Sequence, residues 1–265
     1  MVPRVLVFQH VSYCPLGTLG EHLAADGIAP TIVDLHHGGE ISDLDSFDIL
    51  MVLGGPMEAW EEEKHPWLVA EKTAIRRWVN ELDRPLLGVC LGHQLLADAL
   101  DGKVGRAKRG EAGLTTIEFA DAGKTHPLYA GFGPNKQAIN WHGSEVTVLP
   151  PAAKLLASSP DCPNAAFVAG SAAIGVQYHV EATSALVNEW SKLPAGAAHV
   201  EHLHGPDAAS GVRLAVAAAM PELWSNSRRF YDNFMKIDDD TYQVFFLKRI
   251  ALADHMNTEQ YLVTL

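Results

Sequence analysis

Pro85-Leu86-Leu87-Gly88-Val89-Cys90-Leu91-Gly92-His93-Gln94 is an apolar run broken by two glycines that flank one cysteine, and it continues into a helical pattern. Residues 85–89 read as a short buried strand. Leu91, Leu95, Leu96, Ala99 and Leu100 then recur at helical spacing until Asp101-Gly102 stops the helix. Cys90 thus stands alone on a strand-to-helix turn. A side chain on so sharp a turn needs room on both sides, because the backbone is strained and neighbouring elements come close, and Gly88 and Gly92 supply it. The first turn of the helix aims unpaired N–H groups and its positive dipole end at the sulfur, the setting of a nucleophile. An isolated cysteine is more often a buried structural residue; the paired glycines reverse that reading.

A thiol nucleophile needs a base. Ile174-Gly175-Val176-Gln177-Tyr178-His179-Val180-Glu181 is a strand-like run ending in a histidine, with a carboxylate two residues on. In extended backbone, residues two apart point the same way. Glu181 is then placed to bond one nitrogen of His179, fixing its tautomer, while the other nitrogen faces Cys90.

The segments before the elbow alternate. Strands are expected at 4–9, 31–35 and 48–53, with helices at 16–25 and 61–82, so the pattern implies a parallel sheet with helices on both faces. Sites in such sheets lie at the carboxyl ends of strands. Cys90 and Gly54-Gly55 both follow strands. A glycine pair is by itself a turn, but backbone N–H groups there also meet a developing oxyanion without side-chain obstruction.

Beyond Gly102 the glycine-rich connections suggest hairpins, with a basic turn at 103–106 and strands at 114–119, 154–158 and 165–168. Helices are expected at 183–192, 211–219, 221–236 and 241–255, Pro221 suiting a first helical turn. His199, His202 and His204 lack the i, i+4 spacing of a zinc-binding helix, so no metal site is expected. Asp238-Asp239-Asp240 reads as a solvated acidic turn. The apolar run 244–252 suits a core cover, a pocket shield or a dimer contact.

With 265 residues, 48% hydrophobic and 20% charged, the composition is that of a globular protein. A formal net charge of −12 without a basic patch argues against a nucleic-acid partner. No apolar stretch is long enough to span a membrane, and the start runs directly into a strand, so neither a membrane association nor a leader peptide is expected. The cysteines at 14, 90 and 162 form no disulfide framework, which points to a reducing cytoplasm.

The elbow resembles, position by position, the signature of class I (triad-type) glutamine amidotransferases, and 175–181 resembles their Gly-Val-Gln-Phe-His-Pro-Glu segment, with Val180 in place of proline. The likeness covers roughly residues 4–190 and extends to the glutaminase domain of GMP synthetase and to standalone γ-glutamyl amide hydrolases. It implies a flavodoxin-like, mostly parallel sheet over 1–192, with a helical extension at 193–265 packed on the same domain. It implies Cys90 as nucleophile, His179 as general base and acid, and Glu181 as the orienting carboxylate. Gly55 and Leu91 would donate the oxyanion N–H groups. Gly54, Gln94, Trp141 and His142 would line the substrate pocket, the last two on a segment following a strand. His93 is expected to lie on the helix surface or behind the catalytic groups, since His179 fills the base role.

The implied reaction is hydrolysis of a γ-glutamyl amide, with no cofactor and a small γ-glutamyl compound as substrate. No Gly-x-x-x-x-Gly-Lys loop, no Ser-Gly-Gly pyrophosphatase-type loop and no second α/β repeat is present. Products are therefore expected to pass to a separate synthetase or to water. Trp60, Trp67 and Trp141 near the pocket loops favour an amine or anilide leaving group; a glutaminase that feeds a synthetase is the alternative. Two readings from other classes are weaker. A chaperone- or deglycase-type cysteine elbow would take its acid from an early strand, and a silent binding module would not need a complete triad.

Overall fold

The computed structural model describes the backbone of residues 2–41 and 43–262, and the side chains of those up to 237. The acidic triplet at 238–240 and the apolar run at 244–252 lie outside the described side chains.

The first half is doubly wound: β1 (Val5–Gln9), α1 (Gly17–Ala25), β2 (Thr31–Asp34), β3 (Ile49–Val52), α2 (Trp67–Arg77), β4 (Leu86–Val89) and α3 (Leu91–Ala99). Antiparallel structure follows, with β5 (Lys103–Phe119), α4 (Asp121–Thr125), β6 (Asn135–Val148), β7 (Lys154–Ser159), β8 (Cys162–Ala169) and β9 (Ala173–Val176). The chain continues through α5 (Ser184–Trp190), α6 (Pro194–His204) and α7 (Ala208–Leu262).

The nine strands among the described residues form one sheet in the order β2-β1-β3-β4-β9-β8-β7-β5-β6. The pairings from β2 to β9 are parallel and those from β9 to β6 antiparallel. β9 is therefore the seam: it returns from the antiparallel half to lie beside the elbow strand. The inner parallel strands β1, β3 and β4 are short and buried on both faces, so they read as unbroken apolar runs rather than as alternation, whereas β2 at the sheet edge is partly exposed. Alternate residues still serve opposite layers. Val5 and Val7 join a core with Leu19 and Leu23 of α1 and Phe230 and Phe234 of α7, whereas Leu6 and Phe8 join Leu68 and Ile75 of α2 and Leu95 and Leu96 of α3.

Four expectations are corrected. The helix expected over 61–82 begins at Trp67, because Pro66 occupies its N-cap and is disfavoured in a helix interior. It closes in a wider π turn over Trp78–Leu82 that ends at Asp83, φ 48°. The 103–106 segment belongs to β5, whose pairing with β6 slips between Arg106 and Glu111. The stretch 193–204, part of the expected helical extension but given no helix of its own, holds α6. The helices separated at 220 and 240 are one helix with Pro221 inside it; buried Val216 on one side of the proline and Phe230, Tyr231 and Phe234 on the other hold it to the body, so packing overrides local propensity.

Candidate active site

β4 ends at Val89 and α3 begins at Leu91, leaving Cys90 between them at φ 53° and ψ −102°. A non-glycine residue held there stores on the order of 1–3 kcal/mol of strain. The Cys90 N–H donates to Val176 O of β9 at 2.9 Å, which helps to hold it. The flanking glycines are needed because elements touch: a Cβ on Gly88 would lie 2.5 Å from Gly92 O, and one on Gly92 would lie 2.1 Å from Val52 O of β3. Both distances are far inside van der Waals contact.

His179 lies just beyond β9 rather than within it, in a bent segment anchored by His179 N–H to Ile139 O at 2.8 Å. The backbone here is bent where an extended strand was expected, yet the pair forms: His179 Nδ1 is 2.6 Å from Glu181 Oε1. The imidazole is close enough to the Cys90 sulfur for that sulfur to favour its protonation, and it lies 4.7 Å from the Trp190 ring. Burial opposes its protonation, but the Glu181 carboxylate and the Cys90 sulfur together hold its pKa well above the ordinary histidine value. Val180, in the proline position, is held by its carbonyl, which accepts from Thr18 Oγ at 3.2 Å. Thr18 N–H donates to Glu181 O at 2.9 Å, so the start of α1 clamps the turn.

Gly54 and Gly55 follow β3. A Cβ on Gly54 would lie 3.3 Å from His179 Cε1 and 3.6 Å from Cys90 Cβ, placing this glycine against both. Gly55 and Leu91 line a cavity of about 510 Å³ together with Cys90, His179, Gln94, Trp141 and His142. Gln94 spends its amide N–H groups internally, donating to Ser144 O at 2.9 Å and to Gln177 Oε1 at 3.1 Å. Any ligand contact it makes therefore comes through its carbonyl oxygen. Gln177 in turn donates to Cys90 Sγ at 3.6 Å.

Trp141 and His142 lie within β6, not after a strand. The Trp141 carbonyl accepts from Cys90 Sγ at 3.8 Å. His142 has both nitrogens engaged, with Ser144 O at 3.1 Å and Glu111 Oε2 at 3.0 Å. His93 is fully buried against Phe167, and burial lowers its pKa to about 3, so it stays neutral.

Sequence reasoning missed several neighbours. Tyr13 and Cys14 enter from the loop after β1; burial pushes the Cys14 thiol up, keeping it protonated. Glu58 reaches in four residues past Gly54, accepting from Ser144 Oγ at 2.5 Å and pairing with Arg106 at 2.6 Å. One wall comes from α6 and its approach, through Leu193, Pro194, Ala195, Gly196 and His199. His199 and His204 donate to backbone carbonyls of Glu111 and Ala112, tying α6 to the irregular part of β5. Among the described residues no group of three or more potential metal-ligating side chains converges.

The description "Glutamine amidotransferase class-I" matches residues 18–189 as a family model. The chain belongs to the class-I glutamine amidotransferase family. A subunit of the glutamine-hydrolyzing GMP synthase of Thermococcus kodakarensis is 41% identical over 110 residues, 41% of this chain and 57% of that protein. The protein of the same name from Sulfolobus acidocaldarius is 34% identical over 142 residues, 53% of this chain and 71% of its own length. The match thus spans little more than half of the first relative. A crystal structure of a glutamine amidotransferase from Thermotoga maritima superposes with a TM-score of 0.77 at 27% identity, covering 88% of this chain and 98% of that one. Within this amidotransferase the family match ends at 189, before α6 begins. No described helix is long and apolar enough to cross a membrane.

Proposed function

We propose that this chain hydrolyses the C–N bond of a γ-glutamyl amide through a γ-glutamyl thioester on Cys90, releasing glutamate and an amine. The observation that carries the reading is the continuous contact Cys90–His179–Glu181 at the floor of a cavity with mainly apolar walls. The Cys90 thiolate attacks the γ-carbonyl carbon, and the carbonyl electron pair moves to oxygen, where the Gly55 and Leu91 N–H groups receive it. The tetrahedral adduct collapses by breaking the C–N bond as His179 gives its proton to the departing nitrogen. A water then attacks the thioester, losing its proton to His179, and the sulfur leaves. No cofactor enters this scheme.

In this reading residues 1–192 carry the chemistry, with Gly54, Gln94 and His142 around the glutamyl moiety, while the helical extension that follows supplies, through residues 193–199, a wall for the leaving group. Trp141, Trp190 and the α6 residues favour an alkyl or aryl amine there, since flat apolar surfaces gain most by covering such groups. A second reading is favoured by the relatives named as GMP synthase subunits: a glutaminase that hands ammonia to a separate synthetase.

The deciding measurement is glutamate release by the wild type and by Cys90→Ser, from glutamine and from γ-glutamyl alkyl-, aryl- and aminoacyl-amides. Turnover concentrated on one amine class, and lost in the variant, is expected. Turnover of glutamine far above every amide replaces the first reading with the second.

A further inference from the structure

Four neighbouring parallel strands each end in a group of interest: β1 leads to His10, β3 to Gly54-Gly55, β4 to Cys90 and β9 to His179. The scheme above uses the last three and leaves His10 without a task. This histidine is fully buried. Its Nδ1 lies 3.0 Å from Gly54 O, and because a carbonyl only accepts, that nitrogen carries a proton. Its Nε2 lies 2.9 Å from Glu71 Oε1 on α2, and its ring stacks on Trp67 of the same helix with centroids 5.5 Å apart. Burial lowers its proton affinity, but Glu71 and the carbonyls around it leave the pKa raised. The ring is gripped at both nitrogens and on one face.

The Gly54 carbonyl and the Gly55 N–H belong to one peptide unit. That unit is trans, like every described peptide, so the two groups point in opposite directions. A carbonyl drawn toward His10 leaves the Gly55 N–H turned away from the buried side, and Gly55 lines the cavity. Two glycines in succession offer almost no intrinsic resistance to turning this peptide over. The turned form would place a carbonyl dipole where the oxyanion develops. Gly55 is also seated between His10 and the second proposed donor residue: a Cβ there would lie 3.0 Å from both His10 Cβ and Leu91 Cδ2.

The geometry points to His10, anchored by Glu71, as a positioning residue that holds the Gly54–Gly55 peptide with its N–H aimed at the acyl oxygen. The role rests on the thioester reading. His10 neither touches substrate nor exchanges a proton with it.

The test compares His10→Leu with His10→Asn, whose amide N–H sits close to the place of the imidazole Nδ1. Loss of an oxyanion donor costs on the order of 10²–10³-fold in kcat, and a donor merely left unheld is expected to cost about 10–100-fold in His10→Leu. His10→Asn is expected to recover most of this. Alkylation of Cys90 by iodoacetamide uses no oxyanion hole, so its rate stays near wild type in both variants. Crystals of His10→Leu are expected to show the Gly54 carbonyl turned into the cavity. An unmoved peptide, or alkylation that falls in step with turnover, overturns the proposal. If His10→Leu does not accumulate, Glu71→Leu carries the same comparison with the same outcomes. Should the wild type hydrolyse no γ-glutamyl amide, the thioester reading fails by itself, and the peptide orientation in the variant still decides for or against His10 as its holder.

Discussion

His179–Glu181 and His10–Glu71 are the same chemical pair in two parts of the sheet, each buried, with one imidazole nitrogen 2.6 or 2.9 Å from a carboxylate. They differ at the other nitrogen. That of His179 serves the Cys90 sulfur, which gives and takes a proton, whereas that of His10 meets the Gly54 carbonyl, which does neither. One imidazole is thereby fitted to move a proton and the other to hold a backbone. His142 belongs with His10, since Ser144 O and Glu111 occupy both its nitrogens. A buried histidine–carboxylate pair therefore says little about catalysis until the second nitrogen's partner is known. Both histidines have raised pKa values, so the stability each contributes is whole below the ordinary histidine value of 6.5 and is lost as pH rises through the folded value.

The comparison breaks most easily at its strongest claim. His179→Gln is expected to lower kcat on the order of 10⁴-fold and to slow iodoacetamide alkylation of Cys90 as well; His10→Asn is expected to leave alkylation alone. Equal losses in both assays from both variants would erase the distinction. The carboxylates sharpen it next. Glu181→Gln should reduce kcat on the order of 10²-fold, because the base loses its orienting charge. Glu71→Gln should stay within roughly threefold, because an amide still accepts from His10 Nε2.

A further buried histidine supplies a reference with no carboxylate. His93, with its pKa lowered to about 3, must take up a proton on unfolding anywhere below pH 6.5. Its depressed value makes stability fall with acid, by about 2 kcal/mol between pH 7 and pH 5. Urea midpoints for His93→Phe should show that part of the acid loss removed, and an unchanged pH dependence would exclude His93 as its source. The effect confined to one substrate class concerns the leaving-group wall. Ala195→Trp fills cavity space lined by α6, and KM for a γ-glutamyl anilide is expected to rise about tenfold, with glutamine unaffected. A parallel rise for glutamine would show that α6 does not face the leaving amine.

Much of this site was legible because it is local. Gly88, Cys90 and Gly92 meet within a single turn, and the glycines are demanded by close approaches of 2.5 and 2.1 Å that any side chain would violate. His179 and Glu181 are two residues apart and bond even though the backbone bends where an extended strand was expected. Trp141 and His142 reached the cavity, but the motif did not reveal that His142 is fully engaged or that both lie inside a strand. The α6 wall was invisible, as its small residues and histidines give weak periodicity; Pro194 at its first turn and Gly205 at its C-cap were the only clear marks.

What the amino-acid order determined alone was the set of elements whose causes lie within a few residues: the apolar strand runs, the strand-to-helix elbow, the glycine turn after β3 and the His-x-Glu pair. Tertiary structure decided the contacts made across long stretches of chain. It brought Glu71 to His10 over 61 residues and Gln177 to Gln94 over 83. It also carried α6 past the end of the family match to close the cavity. Local pattern is written by periodicity and steric exclusion, which neighbours in sequence report. The second partner of a buried imidazole is set by which strands lie side by side, and that order appears only when the sheet is assembled.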